Sequence, residues 1–229
     1  MNKFKHYSFD LWLTLIKSDP SFKKERMRFF HAHYNHKKKS EEEVAFIFRQ
    51  VDLMCNAINE KTGKNIDAEE MYLLVIGLIN DHSIDYKNVD LQGLFREMEV
   101  LLFKHLPKVY SAQTFTVLDT LKQNGATINI LSNTGFIKGK LLRSVLTELK
   151  LADFFDFQLY SDEEGVSKPN GDFFGKMVAT VFSKRKELTL EDVVHVGDNP
   201  VADIWGASQM GIKSVLINSN NETILSVLN

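Results

Sequence analysis

The stretch Val193-Val194-His195-Val196-Gly197-Asp198-Asn199-Pro200-Val201-Ala202-Asp203 decides how this chain is read. A short, largely apolar run stops at Gly-Asp-Asn-Pro, and a helical pattern follows from Val201 to Met210. That is how a buried strand feeding a crossover helix looks in sequence. The same texture recurs on both sides. Ala126 to Leu131 is strand-like and Phe136 to Leu149 helical. Phe157 to Tyr160 is strand-like and Phe173 to Phe182 helical, and Lys213 to Ile217 is a last strand before a short helix. A first strand, Lys5 to Phe9, stands far off in the sequence. Strands alternating with helices predict an α/β fold whose parallel sheet is covered on both faces.

Between the first strand and the others, from about residue 20 to 106, strand signals are missing. Ser40-Glu41-Glu42-Glu43 reads as a capping box, in which the serine side chain meets the amide three residues on and Glu43 reaches back. Val44, Ile47, Phe48, Val51, Met54, Cys55 and Ile58 then make one helical stripe. Leu91, Leu94, Phe95, Met98, Leu101 and Leu102 make another, and Met71, Tyr72, Leu74, Val75, Leu78 and Ile79 a shorter one. Phe22, Met27, Phe30 and Tyr34 suggest a fourth. Four such helices with short connections should pack as a small bundle, framed by Pro20 and Pro107. Lys37-Lys38-Lys39 reads as a solvated helix end, Cys55 as packing, and His195 and Trp205 as core.

Composition excludes several classes. With 229 residues, 44% of them hydrophobic, the chain needs no staples to build a core. Lys plus Arg number 28 against 30 Asp plus Glu. A formal net charge of −2 argues against a nucleic-acid binder and against a disordered acidic chain. One cysteine permits no internal disulfide and fits a reducing compartment. No uncharged apolar run approaches the ~18 residues of a membrane span. A cytoplasmic monomer without membrane partners is the expectation.

Three strands end in polar clusters: Asp10 after the first, Ser132-Asn133-Thr134-Gly135 after the second, and Asp198-Asn199 after the fourth, with Asp203 downstream. In open parallel sheets ligands bind beyond the carboxyl ends of the strands, so these side chains should converge on one crevice. Free amides at loop and helix starts suit an anion. Two carboxylates would repel it, and a hard divalent cation such as Mg²⁺ is their natural companion.

These segments resemble the motifs of the haloacid dehalogenase (HAD) superfamily of hydrolases. Asp10-Leu11-Trp12-Leu13-Thr14 is similar to the first motif, normally Asp-x-Asp-Gly-Thr. Leu131-Ser132-Asn133 is similar to the second, Lys168-Pro169 to the third, and Gly197-Asp198-Asn199-Pro200-Val201-Ala202-Asp203 with Gly206-Ala207 to the fourth. The resemblance implies a Rossmann-like core over residues 1–16 and 107–229, with a helical cap domain at 17–106. It implies Asp10 as a nucleophile forming an aspartyl-phosphate, with Ser132 and the amide of Asn133 holding phosphate oxygens. Lys168 would neutralise charge shared by nucleophile and phosphate, and Asp203 would orient Lys168 or a metal-bound water. Mg²⁺ would be held by Asp10, Asp198 and the backbone carbonyl of Trp12, and Thr14 would support the nucleophile loop. The implied substrate is a small phosphorylated metabolite, selected by the cap.

Position 12 departs from the pattern. The family's phosphatases carry there a second Asp that protonates the leaving oxygen and then activates water. The indole of Trp12 does neither at neutral pH. Losing a general acid–base costs ~10²–10⁴-fold in rate. Leu13 also replaces the usual glycine. Three readings stay open: a Mg²⁺-dependent phosphohydrolase with weakened or redirected acid–base chemistry, a metal-independent dehalogenase with an aromatic residue at position 12, and a catalytically impaired phosphoryl-ligand-binding or interaction protein. In the first, a cap residue could replace the acid, and His31, His33 and His36 are candidates by chemistry.

Overall fold

A computed structural model describes residues 3–229. The strands are β1 (His6–Phe9), β2 (Ile16–Lys17), β3 (Lys108–Val109), β4 (Thr127–Ser132), β5 (Phe157–Tyr160), β6 (Val193–Gly197) and β7 (Lys213–Leu216). The α-helices are α1 (Pro20–His33), α2 (Glu41–Thr62), α3 (Ala68–Ile79), α4 (Leu91–Lys104), α5 (Thr114–Gln123), α6 (Gly139–Glu148), α7 (Ser161–Glu164), α8 (Gly171–Lys184) and α9 (Gly206–Gln209).

Five strands form a parallel sheet in the order β5-β4-β1-β6-β7. β1 is central, pairing His6 with Thr127 on one side and with Val193 on the other. All four of its residues are buried, as a strand covered on both faces requires. One face packs Tyr7, Phe9, Ile128 and Ile130 against Val117, Leu121, Leu142 and Val145 of α5 and α6. The other buries Leu131 and Val193 under Phe173, Phe174, Met177 and Val181 of α8. The expected α/β architecture is present, with helices on both faces.

The four expected helices between β1 and β4 are α1 to α4, and they hold a separate apolar cluster around Phe30, Val51, Tyr72, Val75 and Leu94. Asp19 caps α1 ahead of Pro20. The Ser40–Glu43 capping box forms, with Glu43 N–H donating to Ser40 Oγ at 3.2 Å and Ser40 N–H to Glu43 Oε2 at 2.7 Å. The α2 stripe is narrower than its sequence suggests. Met54 and Ile58 are exposed, while Val44, Val51 and Cys55 are buried. Antiparallel β2 and β3, only two residues each, join the helices to the sheet.

The stretch after β6 also differs from expectation. Instead of one α-helix, a π-type turn spans Pro200–Trp205 and leads into α9. The wider turn points Ala202 and Asp203 inward and leaves Trp205 52% exposed, so Trp205 is not a core residue, whereas His195 is fully buried. Such π-bulges frequently sit at functional sites.

Candidate active site

The carboxyl ends of β1 and β6 deliver Asp10 and Asp198 to the same place, because the strands are neighbours in register. Asp203 joins them from the π-type turn. Each of these three residues offers an oxygen within 4.8 Å of the others. Lys168 arrives from the loop before α8 and is 1% exposed. Its ammonium donates to Asp10 Oδ1 at 2.7 Å and to Asp203 Oδ1 at 2.6 Å. The Asn133 side chain holds that loop: its Nδ2 donates to the Lys168 carbonyl at 2.9 Å, and its Oδ1 accepts from the Lys168 amide at 2.7 Å.

Asp203 is fully engaged. Besides Lys168, His195 Nε2–H donates to Oδ1 at 3.1 Å and the Asn199 amide to Oδ2 at 3.0 Å. Burial holds His195 neutral by lowering its pKa, so this assignment leaves Nδ1 to accept from Ser8 Oγ at 3.1 Å. Two glycines make room for Asp203 and its turn. A Cβ on Gly197 would stand 2.2 Å from the Asp203 carboxyl, and one on Gly206 would stand 2.6 Å from the Phe174 ring and 3.0 Å from Pro169 Cα.

The charges are unequal in cost. Burial raises Asp10 to about 7, against the pull of Lys168 and with added push from Asp203 and Asp198. Burial would raise Asp203 too, but Lys168 and His195 hold it well below the usual carboxylate range. Burial opposes the Lys168 charge, and the two carboxylates outweigh it and raise its pKa. Asp10 Oδ2 has no hydrogen-bond partner among the described residues, and Asp10 lines a cavity of about 580 Å³ together with Trp12, Asn133 and Asp198.

Asp198 is half-buried and accepts weakly from Thr14 Oγ1 at 3.4 Å. Burial, then Asp203, raises it to about 6. Because its folded pKa lies above the unfolded one, it contributes stability that is complete below pH ~4 and lost as the pH rises through about 6. Asp198→Asn should therefore gain on the parent by about 1–2 kcal/mol between pH 4 and 8, allowing for its partial exposure. Urea unfolding of both proteins in chelator at the two pH values measures this. A gap that does not change with pH would show Asp198 to be unshifted.

Ser132 ends β4 fully buried, donates to the Asn133 carbonyl at 3.0 Å, and does not line the cavity. Trp12 is partly buried, packs on the main core and lines the cavity beside Asp10. Its loop is tight: Leu13 N–H donates to the Ile16 carbonyl at 2.8 Å, and Leu13 sits at φ 60°. A left-handed leucine costs roughly 1–2 kcal/mol, which a glycine would avoid. His31, His33 and His36 do not line the cavity. The inserted helices contribute Arg26, Arg49, Asp52 and Glu60 instead, residues that sequence reading did not single out. Glu60 accepts from Asn199 Nδ2 at 2.8 Å, next to Asp198. Further contacts join the two parts of the chain here: Ser167 N–H donates to the Gly63 carbonyl at 3.0 Å, and Ser161 Oγ to Asn65 Oδ1 at 2.7 Å. No helix among the described residues is long and apolar enough to cross a membrane.

Known proteins resemble this chain in sequence and in fold. A glyceraldehyde 3-phosphate phosphatase of Methanothermobacter thermautotrophicus is 30% identical over 173 residues, 69% of this chain and 72% of that protein. The Pyrococcus furiosus protein of the same name is 35% identical over 115 residues. That match spans 49% of this chain and only 43% of the relative's length. In fold, the chain is similar to the HAD-hydrolase YfnB of Bacillus subtilis, solved bound to magnesium. The TM-score is 0.71 at 16% identity, over 96% of this chain and 92% of that one. The sequence pattern of the haloacid dehalogenase-like hydrolases matches residues 7–217. With that match over nearly the whole sheet and its inserted helices, the chain belongs to the haloacid dehalogenase-like hydrolase family.

Proposed function

We propose that this chain is a phosphohydrolase that transfers the phosphoryl group of a small phosphorylated metabolite to Asp10 and then to water. The observation that carries the reading is the buried Lys168 clamped between Asp10 and Asp203, with Asp198 at its side. Residues 1–16 and 107–229 would act as the catalytic core and residues 17–106 as a cap over the leaving group. The relatives named as phosphatases support the same chemistry.

In this reading Lys168 occupies Asp10 Oδ1 and leaves Oδ2 to attack phosphorus. A P–O bond forms on Oδ2 as the bond to the leaving oxygen breaks, and the leaving oxygen takes a proton from water. Asn133 fixes Lys168 through its backbone, so the cation faces both the nucleophile and the incoming anion. The amide of Asn133 and the loop amides after it would hold phosphate oxygens, whereas the Ser132 hydroxyl, turned to the Asn133 carbonyl outside the cavity, would support that loop.

The donor set fits Mg²⁺, a hard cation that takes carboxylate and carbonyl oxygens. Asp198, whose side chain takes only a weak bond from Thr14, would hold the ion with Asp10 and the Trp12 carbonyl. Bound there, it would neutralise negative charge that Lys168 alone leaves uncompensated.

Trp12 supplies no proton, so leaving groups that need none should react best. With Mg²⁺, acetyl phosphate and aryl phosphates should release phosphate faster than alkyl phosphates by about 10²-fold or more. Asp10→Asn should abolish release, and intact-mass spectra during turnover should show a phosphoryl adduct on the parent only. Trp12 also favours a second reading, a phosphoryl-ligand-binding protein. Binding of phosphate without release or adduct on any of these substrates would establish that one instead.

A further inference from the structure

Arg26 stands on α1 in an unusual setting. It is 9% exposed and lines the cavity that holds Asp10. Its guanidinium lies 4.5 Å from the ring centroids of both Phe48 and Phe136, and 5.4 Å from that of Phe22. Ring faces attract a cation, but they offer its N–H groups no lone pairs in hydrogen-bond geometry. No carboxylate pairs with Arg26 among the described residues, and its buried Nε has no hydrogen-bond partner. The buried Tyr72 hydroxyl lies beside the guanidinium: burial raises the phenol, and the charge and N–H groups of Arg26 draw it back, an uncharged neighbour that supplies no counter-charge.

A buried guanidinium with no counter-charge is costly unless something supplies one. Besides Lys168, the other cations that line the cavity, Lys17, Lys23 and Arg49, are exposed and screened by water. Phe136 belongs to the loop after β4, so the Arg26 box closes between the inserted helices and the sheet. An anion entering the cavity completes the missing pair.

We infer that Arg26 binds a second oxyanion of the substrate, a carboxylate or a second phosphate remote from the reacting one. This rests on the phosphohydrolase reading and narrows its substrate class to small phosphate esters with two anionic ends. The planar fork of arginine suits either oxyanion through paired N–H donors, and the aromatic box keeps the fork in place.

Calorimetry at saturating Mg²⁺ tests this with ligands that cannot turn over: methylphosphonate, phosphonoacetate, 3-phosphonopropionate and propane-1,3-bisphosphonate. The parent should bind at least one two-ended ligand about 10–100-fold more tightly than methylphosphonate, and which one separates carboxylate from phosphate. Arg26→Gln should erase that preference while keeping methylphosphonate affinity, which also shows that the variant is folded. Arg26→Lys, with charge but no fork, should fall between. If the second anion adds nothing in the parent, or Arg26→Gln weakens every ligand equally, the inference fails and the phosphohydrolase reading stands. If no ligand binds and no ester is hydrolysed, both fall.

Discussion

Trp12→Asp raises the rate of alkyl phosphate hydrolysis by about 10²–10⁴-fold, the range a positioned general acid–base contributes. The side chain at position 12 lines the cavity beside Asp10, so a carboxyl there reaches the space where the leaving oxygen departs. Like-charge neighbours Asp10, Asp198 and Asp203 keep such a carboxyl protonated toward neutral pH, as an acid needs to be. Acetyl phosphate gains little, since its leaving group needs no proton. Steady-state rates on the two substrate types, parent against variant, measure the effect. Equal gains on both, or none on either, would show that Trp12 does not limit the chemistry.

Lys168→Met costs about 3–5 kcal/mol of stability at pH 8, the second large effect. It removes the cation that pairs with two buried carboxylates, and a buried charge without a partner is strongly destabilising. The deficit depends on pH with a definite sign. Without Lys168 both Asp10 and Asp203 hold their protons to higher pH in the folded state. Their contribution is then present below pH ~4 and lost as the pH rises through neutrality, so the variant approaches the parent in acid. Urea denaturation from pH 5 to pH 8 follows it. A deficit that is constant with pH would mean that packing, and not charge, makes Lys168 indispensable.

Sequence made some elements plain and hid others for physical reasons. β5 is read to the residue, since Phe157 to Tyr160 is a short apolar run between turn residues. α5 escapes, because its buried face is only Val117, Leu118 and Leu121 among three threonines, with Thr114 hidden and Phe115 exposed. β2 and β3 are two residues each, too short to show any period. Asp10, Asp198, Asp203 and Lys168 stand beside strand ends or turns, where topology alone brings them together. Arg26 and Glu60 are different. One looks like the polar flank of an amphipathic helix and the other like a solvated face. The Glu60–Asn199 contact joins residues 139 positions apart, a separation at which no local period carries information. Trp205 reads as core in sequence because an α-helical phase is counted through the π-type turn that it ends.

The bond from Ser167 N–H to the Gly63 carbonyl gives the protein a built-in gauge of its own breathing. Ser167 is buried and its amide is tied only to the inserted helices, one residue before the lysine that faces Asp10. The amides of Phe9 and Ile130 are locked in the middle of the sheet. Deuterium should therefore enter at Ser167 whenever the helices lift, with the sheet intact, and at Phe9 only when the whole core opens. The gap between the two exchange rates measures how often the cavity admits solvent. A ligand that bridges Arg26 and the carboxylate cluster should slow the first rate far more than the second.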